Sequence, residues 1–395
     1  MNNNVFVFVV CGDKEHIDTL HFSLKYLTKY SNYSIVVVTD KKRNESEIFH
    51  HAIIDINTPT YLNHHQASIY LKTGLYKFLP KGNNYCYLDT DVIALSPHCN
   101  QIFNEFVMPI RFAPDHCKLK KFSPYAVNCG CLHRWSIDRD IFNNAIGMMD
   151  NDKIIIDTNL KDKQKVLKFQ LDIIKKSIIK KLIFGFKYLI SGSNFMLNSE
   201  FYFDKTKRTW HLFTGDILLH EFNFKKIEVQ TGFKYLRWKR IWLNKAGVNI
   251  WNDQCDHLAE YILEDFKVKI VDKNWQHWNG GVFLFNDLSH EFLESWHTKS
   301  LKIFNYPNWK TRDQGTLIAT VWQFGLQNHP VLHKKWNFIA DYNNNGLCLD
   351  SDKNAISDDN FSTMYMPNFI HVYHNWGNTN WSVWNWIITK FENEY

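Results

Sequence analysis

Two aspartates one residue apart, Asp89 and Asp91, directly follow the apolar run at residues 85–88. Side chains at positions i and i+2 lie on the same side of an extended backbone, so these carboxylates can converge on one point. Mg²⁺ and Mn²⁺ prefer oxygen ligands, and Mg²⁺ sites commonly combine one or two carboxylates with substrate phosphates and water. The pattern predicts a divalent-metal site that also holds a diphosphate, although an Asp-x-Asp tripeptide occurs about once by chance in such a chain.

Strands that alternate with helices predict where these carboxylates lie. The apolar runs 5–10, 34–38 and 52–56 are typical of strands, and a helical pattern separates the first two. The alternation predicts an α/β fold with a mostly parallel sheet and right-handed crossovers, in which ligands bind beyond the carboxyl ends of the strands. Small or acidic residues that follow the first two strands are candidates for this edge: Cys11, Gly12, Asp13 and Asp40.

Two helices contribute further candidates. A helix predicted at residues 66–79 carries Lys72, whose ammonium group can reach a phosphate at the same edge; a solvated helix face is the alternative explanation. Asp313 and Gln314 begin another helix. A helix N-terminus suits anions and sugar hydroxyls, although Asp313 can also serve only as the N-terminal cap.

A pair of glycines and a histidine complete the candidate set. Gly280 and Gly281 follow Asn279 and precede an apolar strand, which indicates a backbone that passes close to a ligand or to another strand. His371 follows a short apolar run. A lone histidine is more often structural, but beside two carboxylates its imidazole suits Mn²⁺ as a third ligand.

The alternation is lost in the middle of the chain. We therefore predict three segments, at residues 1–137, 138–250 and 251–395, of which the second is an insertion or subdomain. Residues 164–190 within it combine many lysines with apolar residues. Such a basic amphipathic helix can lie in the interface of an anionic bilayer, or it can pack its apolar side on the domain and leave the lysines in water.

Short segments on either side of the insertion carry simpler expectations. The run at residues 109–113 predicts a strand, followed by a loop at residues 114–116. After the insertion, the pattern predicts a helix at residues 254–266 and a strand at residues 267–272.

Composition narrows the class of protein. The chain has 395 residues, a formal charge of +6 and 16% aromatic residues, which suits a globular protein with an anionic partner such as a nucleotide diphosphate or an anionic membrane surface, and does not favour nucleic acid. Eight scattered cysteines predict a reduced, cytoplasmic chain, peripheral to a membrane at most, because no apolar run is long enough to span one. Cys129-Gly130-Cys131 lacks a matching second pair, so zinc is not favoured there.

The order of these motifs resembles a known family. The acidic pair, Asn279-Gly280-Gly281, Asp313-Gln314 and His371 follow one another as in nucleotide-sugar glycosyltransferases of the GT-A fold, closest to glycosyltransferase family 8, whose members are retaining galactosyl and glucosyl transferases. The resemblance covers residues 5–115 and 255–381. The insertion is longer than the family's usual spacing, and the family's terminal Lys-Pro-Trp element, with its diphosphate-binding lysine, is absent.

The resemblance implies roles for individual residues. It implies that Asp89, Asp91 and His371 hold Mn²⁺ or Mg²⁺ against the diphosphate of the donor, with Lys72 as a second positive charge. The residues that it places around the donor nucleotide sugar are Cys11, Gly12, Asp13, Asp40, Thr90, Asn279, Gly280 and Gly281. Asp313 and Gln314 become the candidate catalytic residues, with Gln314 facing the developing oxocarbenium ion.

The implied reaction is transfer of a hexose from a nucleoside diphosphate sugar, such as a UDP-sugar, to a glycan or lipid-linked acceptor. Retention of configuration is expected, and an inverting transferase with Asp313 as general base is the alternative. A non-catalytic carbohydrate- or membrane-binding relative also fits the aromatic content and the basic helix. A nucleotidyltransferase fits less well because no glycine-rich basic loop follows the first strand.

Overall fold

The computed structural model of the chain describes residues 3–148, 178–196, 201–206, 209–213, 217–220, 224–236, 239, 241–344 and 346–393. The chain forms two compact units. The first consists of Met1–Cys129 and Gln254–Tyr395, and the second of Gly130–Asp253. The predicted candidate site residues all belong to the first unit.

The described strands, numbered along the chain, are β1 (Asn4–Val9), β2 (Ser34–Thr39), β3 (Ile53–Asp55), β4 (Asn84–Leu88), β5 (Val92–Ala94), β6 (Arg111–Lys118), β7 (Asn194–Met196), β8 (Phe201–Asp204), β9 (Thr209–Leu212), β10 (Ile217–His220), β11 (Lys234–Leu236), β12 (Ile241–Leu243), β13 (Gln276–Phe285), β14 (Phe338–Ile339), β15 (Cys348–Asp350), β16 (Ala355–Ser357) and β17 (Phe369–His371). The described α-helices span Lys14–Tyr30, His64–Thr73, Leu75–Phe78, Leu119–Ala126, Cys131–Met148, Ile178–Ile190, Phe224–Thr231, His257–Phe266, His290–Ile303, Asp313–Gln323 and Ser382–Asn393.

The central sheet of the first unit has the strand order β3-β2-β1-β4-β13-β6. β1 pairs in parallel with β2 and β4, and β2 pairs in parallel with β3. β13 runs antiparallel to both of its neighbours, β4 and β6, so every strand except β13 runs in the same direction. This confirms the predicted α/β class with a mixed, mostly parallel sheet.

Both faces of this sheet are buried. Along β1, Val7 belongs to one apolar cluster and Phe8 to another, and neither is exposed, because successive side chains of a strand point to opposite faces. Burial of each such side chain contributes roughly 2 kcal/mol. Helices supply much of the apolar surface that covers these faces: His64–Thr73, His257–Phe266, His290–Ile303 and Asp313–Gln323 for the first cluster, and Lys14–Tyr30 for the second.

A second, small sheet brings the end of the chain back to the acidic pair. Its strand order is β14-β17-β5. β5 begins directly after Asp91 and pairs antiparallel with β17, so that His371 lies opposite Val92. This pairing places the imidazole of His371 beside the turn that carries both carboxylates.

Some local predictions are wrong. Residues 114–116 are part of β6, which continues to Lys118 and pairs with β13 across two register shifts, and do not form a loop. Residues 267–272 form no strand. The helix before them ends at Phe266, and Lys267 caps it in a left-handed conformation with φ 59°. Ile270 packs into the core. The helix predicted at residues 66–79 is divided at Gly74 into two.

The second unit has its own sheets and core. β7 to β10 form an antiparallel sheet, β11 and β12 form an antiparallel pair, and Phe142 packs against Trp242 with ring centroids 5.1 Å apart. Of the helix predicted at residues 164–190, the part from 178 to 190 is helical, and residues 164–177 lie outside the described residues. No described helix combines the length and the apolar character that crossing a membrane requires.

Candidate active site

Asp89, Asp91 and His371 lie together just beyond the carboxyl end of β4. One ligand atom from each of these residues lies within 4.8 Å of the other two, and Nε2 of His371 is 3.2 Å from Oδ1 of Asp91. The two carboxylates are partly exposed, at 29% and 26%, whereas the imidazole is 8% exposed. A ligand can therefore approach the carboxylates while the protein holds the imidazole in place.

Backbone hydrogen bonds fix the turn that carries the acidic pair. The amide of Asp89 donates to the carbonyl of Gly281 on β13 at 2.8 Å, and the amide of Val372 donates to the carbonyl of Asp91 at 3.0 Å. The carbonyl of Thr90 accepts a hydrogen bond from the hydroxyl of Ser23 at 2.5 Å. These hydrogen bonds fix the backbone of Asp89, Thr90 and Asp91 to neighbouring elements. Both carboxylates are therefore kept on the same side of the turn.

The hydrogen bonds of His371 determine which nitrogen faces the acidic pair. Its Nδ1 lies 3.2 Å from Oδ1 of Asn337, and the amide nitrogen of Asn337 donates to Oδ1 of Asn279 at 3.0 Å. Nδ1 of His371 is thus the donor to Asn337, and Nε2 is the nitrogen that faces Asp91; Nε2 would give up its proton when a metal ion binds. Metal-binding histidines commonly donate through their other nitrogen in this way, so these three residues fit Mn²⁺ or Mg²⁺.

Lys72 joins the candidate metal cluster, which consists of Asp89, Asp91 and His371, to the helix that begins at Asp313. Its ammonium nitrogen is 3.0 Å from Oδ1 of Asp89 and 2.9 Å from Oδ2 of Asp313. Burial by itself would lower the pKa of Lys72, but the charges of Asp313 and Asp89 outweigh it and raise the pKa above its usual value. Lys72 therefore keeps its charge at neutral pH, and the expectation of a mere solvated helix face is wrong.

The pKa values of Asp89, Asp91 and His371 are shifted by burial and by the charges of their neighbours. Burial raises the pKa of Asp89 despite the nearby charge of Lys72. Burial acts in the same direction on Asp91, but the charge of His371 outweighs it and lowers the pKa of that carboxyl. His371 responds in the opposite sense, because Asp91 raises its pKa against the effect of burial. A divalent cation would relieve the repulsion between the two carboxylates.

Gly281 allows the imidazole of His371 to approach the backbone. A Cβ at position 281 would lie 2.5 Å from Cε1 of His371 and 2.8 Å from Oδ1 of Asn279, whereas one at Gly280 would meet Lys72 and Asp313 at 3.4 Å. The first contact is a clash and the second is near ordinary contact. The close approach that the paired glycines indicate is therefore to the side chain of His371.

Asp115, on β6, is the centre of a second polar cluster, which also contains Asn279, Gln314, His116 and His277. Its Oδ2 accepts hydrogen bonds from Nε2 of Gln314 at 2.6 Å and Nδ2 of Asn279 at 3.0 Å. Its Oδ1 lies 3.1 Å from Nδ1 of His116 and 3.5 Å from Nε2 of His277. Burial would raise the pKa of Asp115, but His277 and the other donors hold it well below its usual range.

This second cluster orients Gln314. Because the amide nitrogen of Gln314 is held by Asp115 and lies 3.3 Å from Nδ1 of His277, its amide oxygen is the remaining acceptor for a ligand. Asp115, His277 and Asn337 are absent from the candidates that the sequence suggests. The polar residues that interrupt apolar strands were the available signal for Asp115 and His277. For Asn337 the signal was the segment Trp336-Asn337-Phe338, which resembles a Trp-Asn element of glycosyltransferase family 8.

The candidates at the ends of β1 and β2 form a separate group. Gly12 has a φ of +102°, and a Cβ there would lie 2.6 Å from the ring of His64. That ring is also 3.1 Å from Oδ1 of Asp13, which is 56% exposed. The thiol of Cys11 is buried, and burial raises its pKa to about 11, so Cys11 is protonated at neutral pH.

Asp40 is held entirely by its neighbours. Its Oδ2 accepts hydrogen bonds from the amide and hydroxyl of Thr58 at 2.9 and 2.6 Å and lies 3.3 Å from Nε of Arg43. Burial would raise the pKa of Asp40, but these hydrogen bonds, those of Thr58 first, lower it. Among the two aspartates that follow β1 and β2, Asp13 is the more accessible.

One helix connects this group with the metal cluster. The helix His64–Thr73 contacts Gly12 and Asp13 through His64 at its first turn and Asp89 through Lys72 at its last turn. Eight residues of helix separate these two side chains along the axis by about 12 Å. The two groups of candidates therefore lie at opposite ends of one rigid element.

No family model matches the chain, and no curated protein matches it either. Among solved structures, the chain is similar to the apo structure of the bifunctional glycosyltransferase WbbM, with 9% identity and a TM-score of 0.41 over 100% of this chain and 50% of that one. It is also similar to the apo form of mouse xyloside xylosyltransferase 1, with 10% identity and a TM-score of 0.35 over 96% of this chain and 98% of that one. The chain thus spans about half the length of WbbM. At these TM-scores neither likeness decides the activity, which has to be inferred from the site itself.

Proposed function

We propose that this protein is a metal-dependent glycosyltransferase of the GT-A fold that moves a hexose from a nucleoside diphosphate sugar, such as a UDP-sugar, to a glycan or lipid-linked acceptor. The observation that supports this most strongly is the convergence of Asp89, Asp91 and His371 beside Lys72. These residues lie at the sheet edge where α/β proteins bind their ligands. The resemblance to glycosyltransferase family 8 implies the same ligands in the same order.

Each residue of the metal cluster has a task in this proposal. Asp89 and Asp91 offer carboxylate oxygens and His371 offers Nε2 to Mn²⁺ or Mg²⁺, which when bound would stabilise the charge that develops on the departing diphosphate. Lys72 adds a positive charge next to Asp89. Because the family's terminal lysine is absent, Lys72 would be the main protein cation at this phosphate.

The nucleoside and the sugar would occupy opposite sides of the metal cluster. The exposed carboxylate of Asp13, with Cys11 and Gly12 beside it, would contact the base or ribose, and Asp40 would shape the neighbouring loop. Asn279, Gly280 and the amide oxygen of Gln314 would face the transferred sugar. The distance of about 12 Å along the helix His64–Thr73 leaves space for a diphosphate and a ribose between the two groups.

The ion pair of Asp313 bears on the stereochemistry. A general base needs a carboxylate oxygen directed at the acceptor hydroxyl, yet Oδ2 of Asp313 lies 2.9 Å from the ammonium of Lys72 and is already engaged in that ion pair. Retention is therefore the better-supported outcome, with Gln314 facing the developing oxocarbenium ion. Inversion with Asp313 as general base remains the alternative, and the anomeric configuration of the product distinguishes the two.

The experiment that tests the proposal is a screen of UDP-, GDP- and CMP-sugars for hydrolysis and transfer, with Mn²⁺ and with a chelator. We expect one nucleotide sugar to be cleaved only in the presence of the metal. A protein that binds glycans but neither binds nor cleaves any of these donors would be the non-catalytic relative, and the enzyme proposal would then be abandoned.

We further propose that the helix Ile178–Ile190 binds an anionic bilayer and brings the enzyme to a lipid-linked acceptor. Leu182, Phe186 and Leu189 on this helix are 68%, 64% and 78% exposed, and Lys181 and Lys187 lie on the same helix. Exposed apolar side chains among lysines are typical of helices that lie in a membrane interface.

Vesicle sedimentation tests this part separately. Leu189→Asp should weaken binding to vesicles that contain anionic lipid, whereas Val271→Asp, at a residue of the first unit that is 76% exposed, should leave it unchanged. Equal sedimentation of both variants with the unsubstituted protein would show that the helix is not the membrane contact. Donor hydrolysis in solution should be the same in all three proteins.

A further inference from the structure

A second group of metal-ligating side chains lies at the point where the first unit gives way to the insertion. Cys129 is the last residue of the first unit before the insertion, and Cys255 and His257 follow directly after the chain returns at Gln254. One ligand atom from each of these three residues lies within 4.8 Å of the others. All three are separate from the carboxylates of the candidate active site.

The separation of the two thiols is that of ligands on one metal ion. Sγ of Cys129 and Sγ of Cys255 are 3.9 Å apart. Two thiolates that each lie about 2.3 Å from a tetrahedral zinc ion stand roughly 3.8 Å apart. A disulfide would require about 2.05 Å, so the observed separation matches a shared metal and not a covalent bond.

Neighbouring groups hold Cys255 in this position. Its amide donates to the carbonyl of Lys120 at 3.1 Å, and its Sγ lies 3.1 Å from the hydroxyl of Ser123. The same hydroxyl accepts a hydrogen bond from the amide of Leu258 at 3.0 Å, which fixes the hydroxyl beside the sulfur. These contacts fix the position of the Cys255 sulfur beside that of Cys129.

We propose that Cys129, Cys255 and His257 bind a zinc ion that clamps the two chain segments from which the insertion extends. Two thiolates and one imidazole are a soft donor set that suits Zn²⁺, whereas the oxygen-rich set of Asp89 and Asp91 suits Mn²⁺ or Mg²⁺. A fourth ligand completes the tetrahedron. Cys129-Gly130-Cys131 lacks a second pair of cysteines, but Cys255-Asp256-His257 offers one thiol and one imidazole in its place.

The clamp would act on the helix that carries the candidate catalytic residues. A Cβ at Gly315 would meet Trp309 at 3.1 Å and Ala126 and Leu258 at 3.5 Å. Ala126 lies three residues before Cys129, and Leu258 directly follows His257. Loss of the zinc ion should therefore loosen the packing behind Asp313 and Gln314 as well as lower the thermal stability of the protein.

Metal analysis of the full chain tests this proposal without any enzymatic assay. We expect the protein, purified under reducing conditions without chelator, to retain one zinc ion per chain and to release it when a mercurial titrates the thiols. Cobalt substitution should produce a thiolate-to-cobalt charge-transfer band, which carboxylates cannot give. The Cys255→Ser variant should lose both signals, and Cys348→Ser, the same change at a half-buried cysteine of the first unit, should keep both.

Three results would overturn the proposal. These are the absence of the charge-transfer band in the unsubstituted protein, a zinc content that is equal in Cys255→Ser and the unsubstituted protein, and a Cys129 to Cys255 disulfide found by mass spectrometry after expression in a reducing cytoplasm. The first and third of these measurements need no variant, so they decide the question even where Cys255→Ser fails to fold.

Discussion

The candidate metal cluster and the polar cluster around Asp115 lie at the same edge of the central sheet, but different groups surround their carboxylates. Asp89 and Asp91 are near neighbours whose closest charged partners are one lysine and one histidine. Asp115 stands by itself and accepts hydrogen bonds from two side-chain amides and a backbone amide. The pKa of Asp89 is accordingly raised, because burial dominates, and that of Asp115 is lowered, because its donors outweigh burial.

The difference supports the proposal that Asp89 and Asp91 bind a cation, whereas Asp115 positions other residues. Two like charges one residue apart are stabilised by an added cation, and their oxygens are partly exposed to receive it. The oxygens of Asp115 already accept hydrogen bonds from fixed donors, so Asp115 orients Asn279 and Gln314. Asn279 belongs to both arrangements, since it touches Asp115 and Asn337.

Asp91→Asn should have the largest effect. Loss of one carboxylate charge removes the main reason for a divalent ion to bind, so we expect metal-dependent donor cleavage to fall roughly a thousandfold, since a Lewis acid of this kind contributes several kcal/mol. Calorimetric metal binding and donor hydrolysis measure the two effects. Asp352→Asn, at an exposed aspartate, should change neither, and unchanged turnover in Asp91→Asn would contradict the assigned role.

Lys72→Met should separate metal affinity from turnover. Without the ammonium between Asp89 and Asp313, the site becomes more negative, so Mn²⁺ should bind more tightly while turnover falls about a hundredfold, because a charge that stabilises the leaving diphosphate is lost. The free energy of unfolding should fall by about 2 kcal/mol, since the carboxylate of Asp313, which is 18% exposed, loses its charged hydrogen-bond partner. Weaker metal binding in this variant would argue against a shared metal and lysine site.

Gly281→Ala tests whether the position of the imidazole matters. The added methyl group would clash with His371 at 2.5 Å, which should displace the ring and weaken metal binding by about thirtyfold, within the range seen when support of a ligand is lost. Gly280→Ala is the matched control, because its methyl group meets Lys72 and Asp313 at 3.4 Å. Equal metal affinity in the two variants would show that His371 is not a ligand.

Asp115→Asn should have the smallest effect and the opposite profile to Asp91→Asn. An amide at this position cannot accept from all of the donors that Asp115 satisfies, so Gln314 should lose its orientation and turnover should fall about tenfold. Metal affinity should stay the same, because the metal cluster is intact. If metal affinity falls as in Asp91→Asn, the two clusters are one site and the distinction between them is wrong.

Local sequence patterns predicted the parts of the site that depend on neighbouring residues. The spacing of Asp89 and Asp91 placed both carboxylates on one side of an extended chain, and the apolar run before them predicted a strand that ends at the ligand-binding edge. Gly280 and Gly281 indicated a close approach of the backbone. The pattern did not identify the ring of His371 as the group that Gly281 contacts, because the pairing of β17 with β5 places that ring there.

Long-range pairing decided the parts that sequence analysis missed. Asp115 and His277 are 162 positions apart in the chain, because β6 precedes the insertion and β13 follows it. They meet because these two strands pair, with two register shifts along the pairing. Asn337 joins the site only through hydrogen bonds to Asn279 and His371. A register shift moves a side chain from one face of a sheet to the other, and nothing local to β6 specifies it.

The sequence by itself therefore determined the fold class, the acidic pair and the order of the motifs, because periodicity and adjacency act over a few residues. Only the tertiary structure decided that Gly281 makes room for the ring of His371, that Lys72 bridges Asp89 and Asp313, and that Asp115 holds Gln314. These contacts depend on strand pairings between distant segments, where burial of apolar faces sets the register and the polar side chains follow it.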